Sequence, residues 1–247
     1  STQSRSSAAS DVYKRQRFEH EAPNSLWQID FKGYVSTAAG RCHPLTLLDD
    51  HSRYNLALRA CARQQTASVK EQLQDVFSRY GLPVRINADN GAPWGSPREP
   101  GQLSELALWL IRLGVRVSFS SPYHLQTNGK DERFHRSLKA ELLAGRSFQD
   151  LAQAQQQFDR WRHVYNHERP HQALGMNPPA SRYRASERAY PRTLPPLEYG
   201  PNDTVVKVGW LGEVRFKSKR FKVSAALKDH EICLLYTSPS PRDLSTS

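Results

Sequence analysis

The stretch Leu26-Trp27-Gln28-Ile29-Asp30-Phe31 decides how this chain reads. Its alternation is that of a β-strand, with Leu26, Gln28 and Asp30 on one face and the aromatic Trp27 and Phe31 on the other. An acid inside so apolar a strand needs a reason; taken alone, Asp30 reads as a polar edge residue or a buried, hydrogen-bonded acid. Downstream, residues 44–48 and 54–58 read as two more short strands joined by the polar turn 49–53, an antiparallel meander ahead of any helix. In that turn Asp49 and Asp50 are placed to clamp the chain through local bonds with Ser52 and Arg53.

Helical spacing then takes over. Val69, Leu73, Val76, Phe77 and Tyr80 recur on one helix face, with Thr66 or Ser68 as the cap and Gly81 and Pro83 as the stop. Residues 84–89 read as a strand running into Asn90-Gly91, and Asp89 alone reads as a turn former. Leu103, Leu106, Leu110 and Leu113 mark a second helix closed by Gly114, and 115–119 a further strand. Residues 122–129 are loop-like, and helices are expected over 130–144 and 148–165. Glu132 alone reads as a first-turn partner of the helix dipole. This order, β-β-β-α-β-α-β followed by helices, predicts an α/β fold: a mixed sheet flanked by helices. From Gly175 the periodicity fades into a proline-containing stretch, 175–202, with a linker's composition. Beyond it, 203–232 looks like a small basic β module.

The chain has 247 residues and a formal charge of +11. That excess points towards an anionic polymer, although a basic balance also fits a merely soluble basic protein. No apolar run approaches the ~18 residues of a membrane span, so no membrane association is expected. Cys42, Cys61 and Cys233 lack both paired metal-ligand spacing and disulfide density, which favours a reducing, cytoplasmic setting. Residues 1–16 and 233–247 are polar and aperiodic and resemble translated sequencing-adapter ends, with natural flexible termini as the alternative; without them the chain runs over 17–232, with 17–174 as the expected main domain.

Five segments in order carry a resemblance. They are Trp27-Gln28-Ile29-Asp30-Phe31, Asp89-Asn90-Gly91, Pro122-Tyr123-His124, the run Gln126-Thr127-Asn128-Gly129-Lys130-Asp131-Glu132-Arg133-Phe134-His135, and Tyr165-Asn166 with Arg169-Pro170-His171. Together they resemble the integrase-type catalytic core of bacterial insertion-sequence transposases, the DDE superfamily, over roughly residues 26–183. The resemblance implies a ribonuclease H-like fold, and a small C-terminal β-barrel-like module, open to being truncated. It also implies a catalytic, metal-holding triad of Asp30, Asp89 and Glu132. Carboxylates suit that role because Mg²⁺ or Mn²⁺ prefers hard oxygen ligands, and two such ions can stabilise both the attacking and the leaving oxygen at a phosphate. The implied activity is metal-dependent DNA cleavage and strand transfer by a homo-oligomer on DNA, in a bacterial cytoplasm, with transposon ends and target DNA as partners. The sequence departs from the pattern in an acid spacing lengthened over 93–101, in Asn87-Ala88 before Asp89, and in Leu125 where proline is common.

Candidate DNA contacts follow. At about 100° per residue, Glu132, Arg136 and Lys139 share a helix face, with Phe134 and Leu138 opposite. Lys139, seven places after the glutamate, matches the superfamily pattern and leads the phosphate candidates, followed by Arg136, Lys130, Arg133 and the loop residue His124. In the terminal module Arg215, Lys217, Arg220 and Lys222 alternate with Val214, Phe216, Phe221 and Val223 across a hairpin turning near Ser218-Lys219. Trp94 is expected to pack. No helix-turn-helix is visible before Leu26, so the chain reads as a fragment. Two competing readings are a catalytically inactive nucleic-acid-binding relic and a ribonuclease H-like nuclease without strand transfer.

Overall fold

The computed structural model describes residues 20–89, 91, 93–95, 103–119 and 125–234, with the backbone course alone for 125–131. One six-stranded sheet is built from β1 (Trp27–Phe31), β2 (Val35–Thr37), β3 (Gly40–Asp49), β4 (Asn55–Cys61), β5 (Arg85–Ala88) and β6 (Arg116–Phe119). β3 lies antiparallel between β1 and β4, and its first residues also pair with β2. β1, β5 and β6 run parallel, making the sheet mixed. β2 and the early part of β3 are additions to the three-strand meander expected from sequence; Val35 pairs with Cys42 and both are buried.

Among the described residues four α-helices cover the two faces: α1 (Thr66–Tyr80), α2 (Glu105–Arg112), α3 (Leu125–Leu138) and α4 (Leu151–His167). On one face Trp27 and Ile29 of β1 meet Val69, Leu73 and Phe77 of α1 and Leu106 and Leu110 of α2. On the other, Leu48 and Leu58 meet Phe134 and Leu138 of α3 and Phe158 of α4. The alternation of β1 thus sorts aromatics to the first core and Gln28 and Asp30 to the side of α3 and α4. A mixed sheet between two helical layers is the ribonuclease H-like α/β arrangement.

Several local expectations are corrected. α1 starts at Thr66 with Gln65 as its cap residue and no side-chain cap bond, so neither Thr66 nor Ser68 caps it. α3 starts at Leu125 rather than Lys130, taking in the loop-like Thr127-Asn128-Gly129 at a cost of about 1 kcal/mol for a helical glycine. Glu132 is therefore in the helix's second turn, not its first. α3 then runs on as a π-helical turn, Lys139–Leu143.

Asp49 and Asp50 clamp their turn as expected, and Asp49 also reaches further. Its fully buried carboxylate accepts from Ser52 N at 2.8 Å, Ser52 Oγ at 2.6 Å and Asn24 N at 2.7 Å. Asp50 accepts from Gln28 Nε2 at 2.7 Å and has Arg53 at 3.8 Å. The outer edge of β4 is closed by side chains of α4 rather than by another strand. Gln155 accepts from Ala60 N and donates to Leu58 O, Arg162 donates to Asn55 O and Leu56 O, and Asn166 both accepts from Asn55 N and donates to Asn55 O.

The proline-containing stretch is not a detached linker. Ala180, Tyr183, Tyr190 and Leu194 pack on the first core, and Arg188 donates to Pro83 O and Gly114 O. At Gly81 a side chain would strike Ser186 O, 2.6 Å from an ideal Cβ, so this strap needs the glycine that ends α1. The terminal module has β7 (Thr204–Lys207) paired with β10 (Glu231–Leu234), and β8 (Glu213–Phe216) paired with β9 (Lys219–Lys222). Among the described residues no ladder joins the two pairs into a barrel. The pairing of β10 runs past residue 232 to Leu234. No described helix is long and apolar enough to cross a membrane.

Removing the Asp49 carboxylate strands three donors, two of them backbone amides. Asp49→Ala is expected to cost about 3 kcal/mol or more, seen as a lower urea midpoint at an unchanged slope.

Candidate active site

Register brings two of the predicted acids together. β1 and β5 are parallel with Trp27 beside Ile86 and Gln28 beside Asn87. Asp89 follows β5 directly, so the two acids leave the same end of neighbouring strands, and the charge of Asp89 is felt at Asp30. Burial and, next, the charge of Asp89 raise the Asp30 carboxyl to about 6, against the smaller opposing pull of Lys32. The Asp30 side chain is still 30% exposed, so the carboxylate is open to a ligand. Asp89 also keeps the local role of a turn former, since Gly91 N donates to its Oδ1 at 2.9 Å. Trp94 is buried with its ring 5.9 Å from Phe31, and so backs the site by packing.

α3 lies along the same face. Glu132, Arg136 and Lys139 are exposed and Phe134 and Leu138 buried, the division predicted from helical spacing; Arg133 is exposed as well, and His135 is buried. His135 is the link to the sheet. Thr46 Oγ donates its one proton to Asp30 O at 3.1 Å, so the 3.1 Å bond between Thr46 Oγ and His135 Nε2 is donated by the imidazole. His135 Nδ1 lies 3.7 Å from Asp30 Oδ2. Burial, helped by the charge of Lys32, lowers His135 to about 3; the ring is neutral near pH 7 and its contact with Asp30 is not an ion pair.

Glu132 stands one helical turn before His135, a spacing that puts the two side chains on neighbouring positions of the helix surface. It is not gathered with the two aspartates: among the described residues no group of three or more His, Cys, Asp and Glu side chains is close enough to hold a metal ion. Of the predicted DNA contacts, Lys130 falls within α3, in the part described by backbone alone, and His124 lies outside the described residues. In the terminal hairpin Arg215 pairs with Arg220 and Lys222 with Glu213, which puts these bases on one face, opposite Val214, Phe216 and Phe221. Lys217 is instead in the turn, with Ser218, both at positive φ, so the turn falls one residue earlier than expected.

The sequence reading missed Thr46, His135 and Lys32 as members of the site. His135 carried a signal, a polar residue on the apolar face of the helix between Phe134 and Leu138, but Thr46 is joined to it only by the fold. Also missed is a clamp at the far end of α3. Glu141, in the π-helical turn, accepts from Arg169 through both carboxylate oxygens and from Trp161 Nε1 at 2.9 Å. Its carboxyl is held below the usual range by these hydrogen bonds, which outweigh its partial burial.

Two family models, each described as "Integrase core domain", match residues 20–124 and 113–179. The Insertion element IS476 uncharacterized 39.2 kDa protein of Xanthomonas euvesicatoria is 28% identical over 158 residues, 64% of this chain and 44% of its own length. The Transposase for insertion sequence element IS629 of Shigella sonnei is 28% identical over 184 residues, 74% of this chain and 58% of its own. The Gag-Pol polyprotein of avian reticuloendotheliosis virus is 31% identical over 126 residues, 51% of this chain and 10% of the polyprotein. The chain thus spans about half the length of these two insertion-element relatives. Among solved structures, the simian T-cell lymphotropic virus intasome in complex with PP2A regulatory subunit B56 gamma aligns with TM-score 0.51 at 15% identity. That alignment covers 83% of this chain and 68% of the other, and at such identity it shows the fold alone. With two models of one description meeting across residues 20–179, the chain belongs to the integrase core domain family.

Proposed function

We propose that the chain is the catalytic core of a DDE transposase, which cleaves DNA at transposon ends and joins the freed 3′ ends to target DNA. The observation that carries this reading is the pair Asp30, on β1, and Asp89, directly after the neighbouring parallel β5, with the helix of Glu132 packed on the sheet face that Asp30 takes. Two carboxylates whose mutual repulsion helps raise one of them to about 6 fit a divalent cation, because hard oxygen donors with excess negative charge are what Mg²⁺ or Mn²⁺ takes. Asp30, Asp89 and Glu132 would hold the ions, two in number. When bound, such ions supply positive charge at the attacked phosphate and at the entering and leaving oxygens.

The chain's own residues do the positioning. Neutral His135, tied to Asp30 O through Thr46, locks α3 to β1 and so sets the level of Glu132 against the aspartates. Glu141, gripped by Arg169 and Trp161, fixes the other end of that helix. Arg136 and Lys139, exposed beside Glu132, contact the DNA backbone, with Arg133, Lys130 and His124 as further contacts. In the first step water attacks phosphorus, the bond to the 3′ oxygen of the transposon end breaks, and that oxygen leaves as a hydroxyl with a proton from the water. In the second, this hydroxyl oxygen attacks a target phosphate and the displaced target 3′ oxygen takes up its proton. The working protein is a homo-oligomer on DNA in the bacterial cytoplasm.

Glu132→Gln, Asp30→Asn and Asp89→Asn are each expected to reduce Mg²⁺-dependent nicking and joining by roughly a thousandfold or more while DNA affinity stays within about twofold. Nicking retained by Glu132→Gln would overturn the assignment. Replacing Arg136 and Lys139 together by serine should weaken binding of all sequences alike and reduce the salt slope by about 2. A double-mutant cycle of Glu141→Gln with Arg169→Met, read by urea unfolding, is expected to give a coupling of about 1 kcal/mol.

A further inference from the structure

The loop between β7 and β8 presents a side chain that neither core uses. Trp210 is 74% exposed and Leu211 50%, at the tip of the turn 209–212. The turn is held firmly: Gly212 N donates to Gly209 O at 2.9 Å and Gly209 N to Glu213 O at 2.8 Å. Gly212 has φ +73, and a Cβ there would lie 2.4 Å from Ala225 N, so the turn is pressed against the segment that Ser224 anchors to Leu103 O. A rigid backbone thus holds an indole out into water, where its large apolar surface is unfavourable unless something covers it.

The hairpin that follows it in the chain selects the cover. Residues 214–222 contain Arg215, Lys217, Lys219, Arg220 and Lys222 and no acid. Arg215 and Arg220 stand directly opposite each other across the hairpin, a like-charge pair that costs stability, offset in part by Glu213 at 3.7 Å from Arg220. Phe221, 48% exposed, adds a second aromatic on the other face of the hairpin, the face it shares with Lys219. Cationic side chains interleaved with exposed aromatic rings suit a polyanion whose units carry flat faces, and a ring reaches such a face only where bases are unstacked.

We propose that Trp210 is a stacking contact for unpaired DNA bases, with the basic hairpin 213–222 holding the adjoining backbone. The proposal rests on the reading of the chain as a DNA-acting protein. It is tested on the full chain by fluorescence anisotropy with three labelled probes of equal length: a single strand, a duplex with a central mismatched bubble, and a fully paired duplex. Trp210→Ala is expected to weaken the first two by about 5- to 100-fold and the paired duplex by less than twofold, the range that loss of one base stack gives. Trp210→Phe should recover most of the loss, and both variants should melt as the wild type does. Equal affinities of Trp210→Ala and wild type on all three probes would overturn the proposal, as would an equal loss on the paired duplex. A change in sedimentation mass without a change in DNA affinity would overturn it in favour of a second copy as the cover. If the wild type binds none of the probes, the reading of the chain as DNA-acting fails instead.

Discussion

The parallel pairing of β1 with β5 is the constraint on which the site depends. Two carboxylates near each other repel, and nothing local would keep Asp30 and Asp89 together. The strands do so because each is nailed behind by apolar contacts: Trp27 and Ile29 from β1 and Ile86 from β5 belong to one buried cluster with α1 and α2. Burial first, and then the repulsion that the sheet does not let relax, raise the Asp30 carboxyl. The strain is of the kind a protein keeps where a ligand relieves it.

Much of this was legible in the sequence where one residue's surroundings are set by near neighbours. The alternation of Leu26 to Phe31 told which face Asp30 takes, because a pleated strand admits no other arrangement. Helical phase told that Phe134 and Leu138 would be buried and Arg136 and Lys139 exposed, and the turn chemistry of Asp49 and Ser52 was readable from their spacing. Family resemblance supplied the pairing of Asp89 with Asp30, which no local pattern contains.

What escaped the sequence has physical reasons. Leu125 to Gly129 carry turn-forming residues, yet the helix that continues from them overrides that preference, and Glu132 moves from the first turn into the second. The bridge from His135 through Thr46 to Asp30 spans 89 residues between its two side chains and exists only once β3 and α3 are stacked. The stretch 175–202 has a linker's composition, but its tyrosines are large apolar bodies, and Tyr183 stacks on Tyr54 with ring centres 4.4 Å apart. Prolines there stiffen a strap that is bound to the core rather than free of it.

The polar side chains that α4 lays along β4 have a consequence beyond this one chain. A sheet margin with unpaired amides and carbonyls is a template on which any extended segment can add itself. Here Gln155, Arg162 and Asn166 already occupy those groups, each mimicking a piece of the missing strand. Sheet growth by recruitment of a stranger's backbone is blocked along this margin. Copies crowded together then meet through surfaces and charges, without fusing their sheets into aggregates along it.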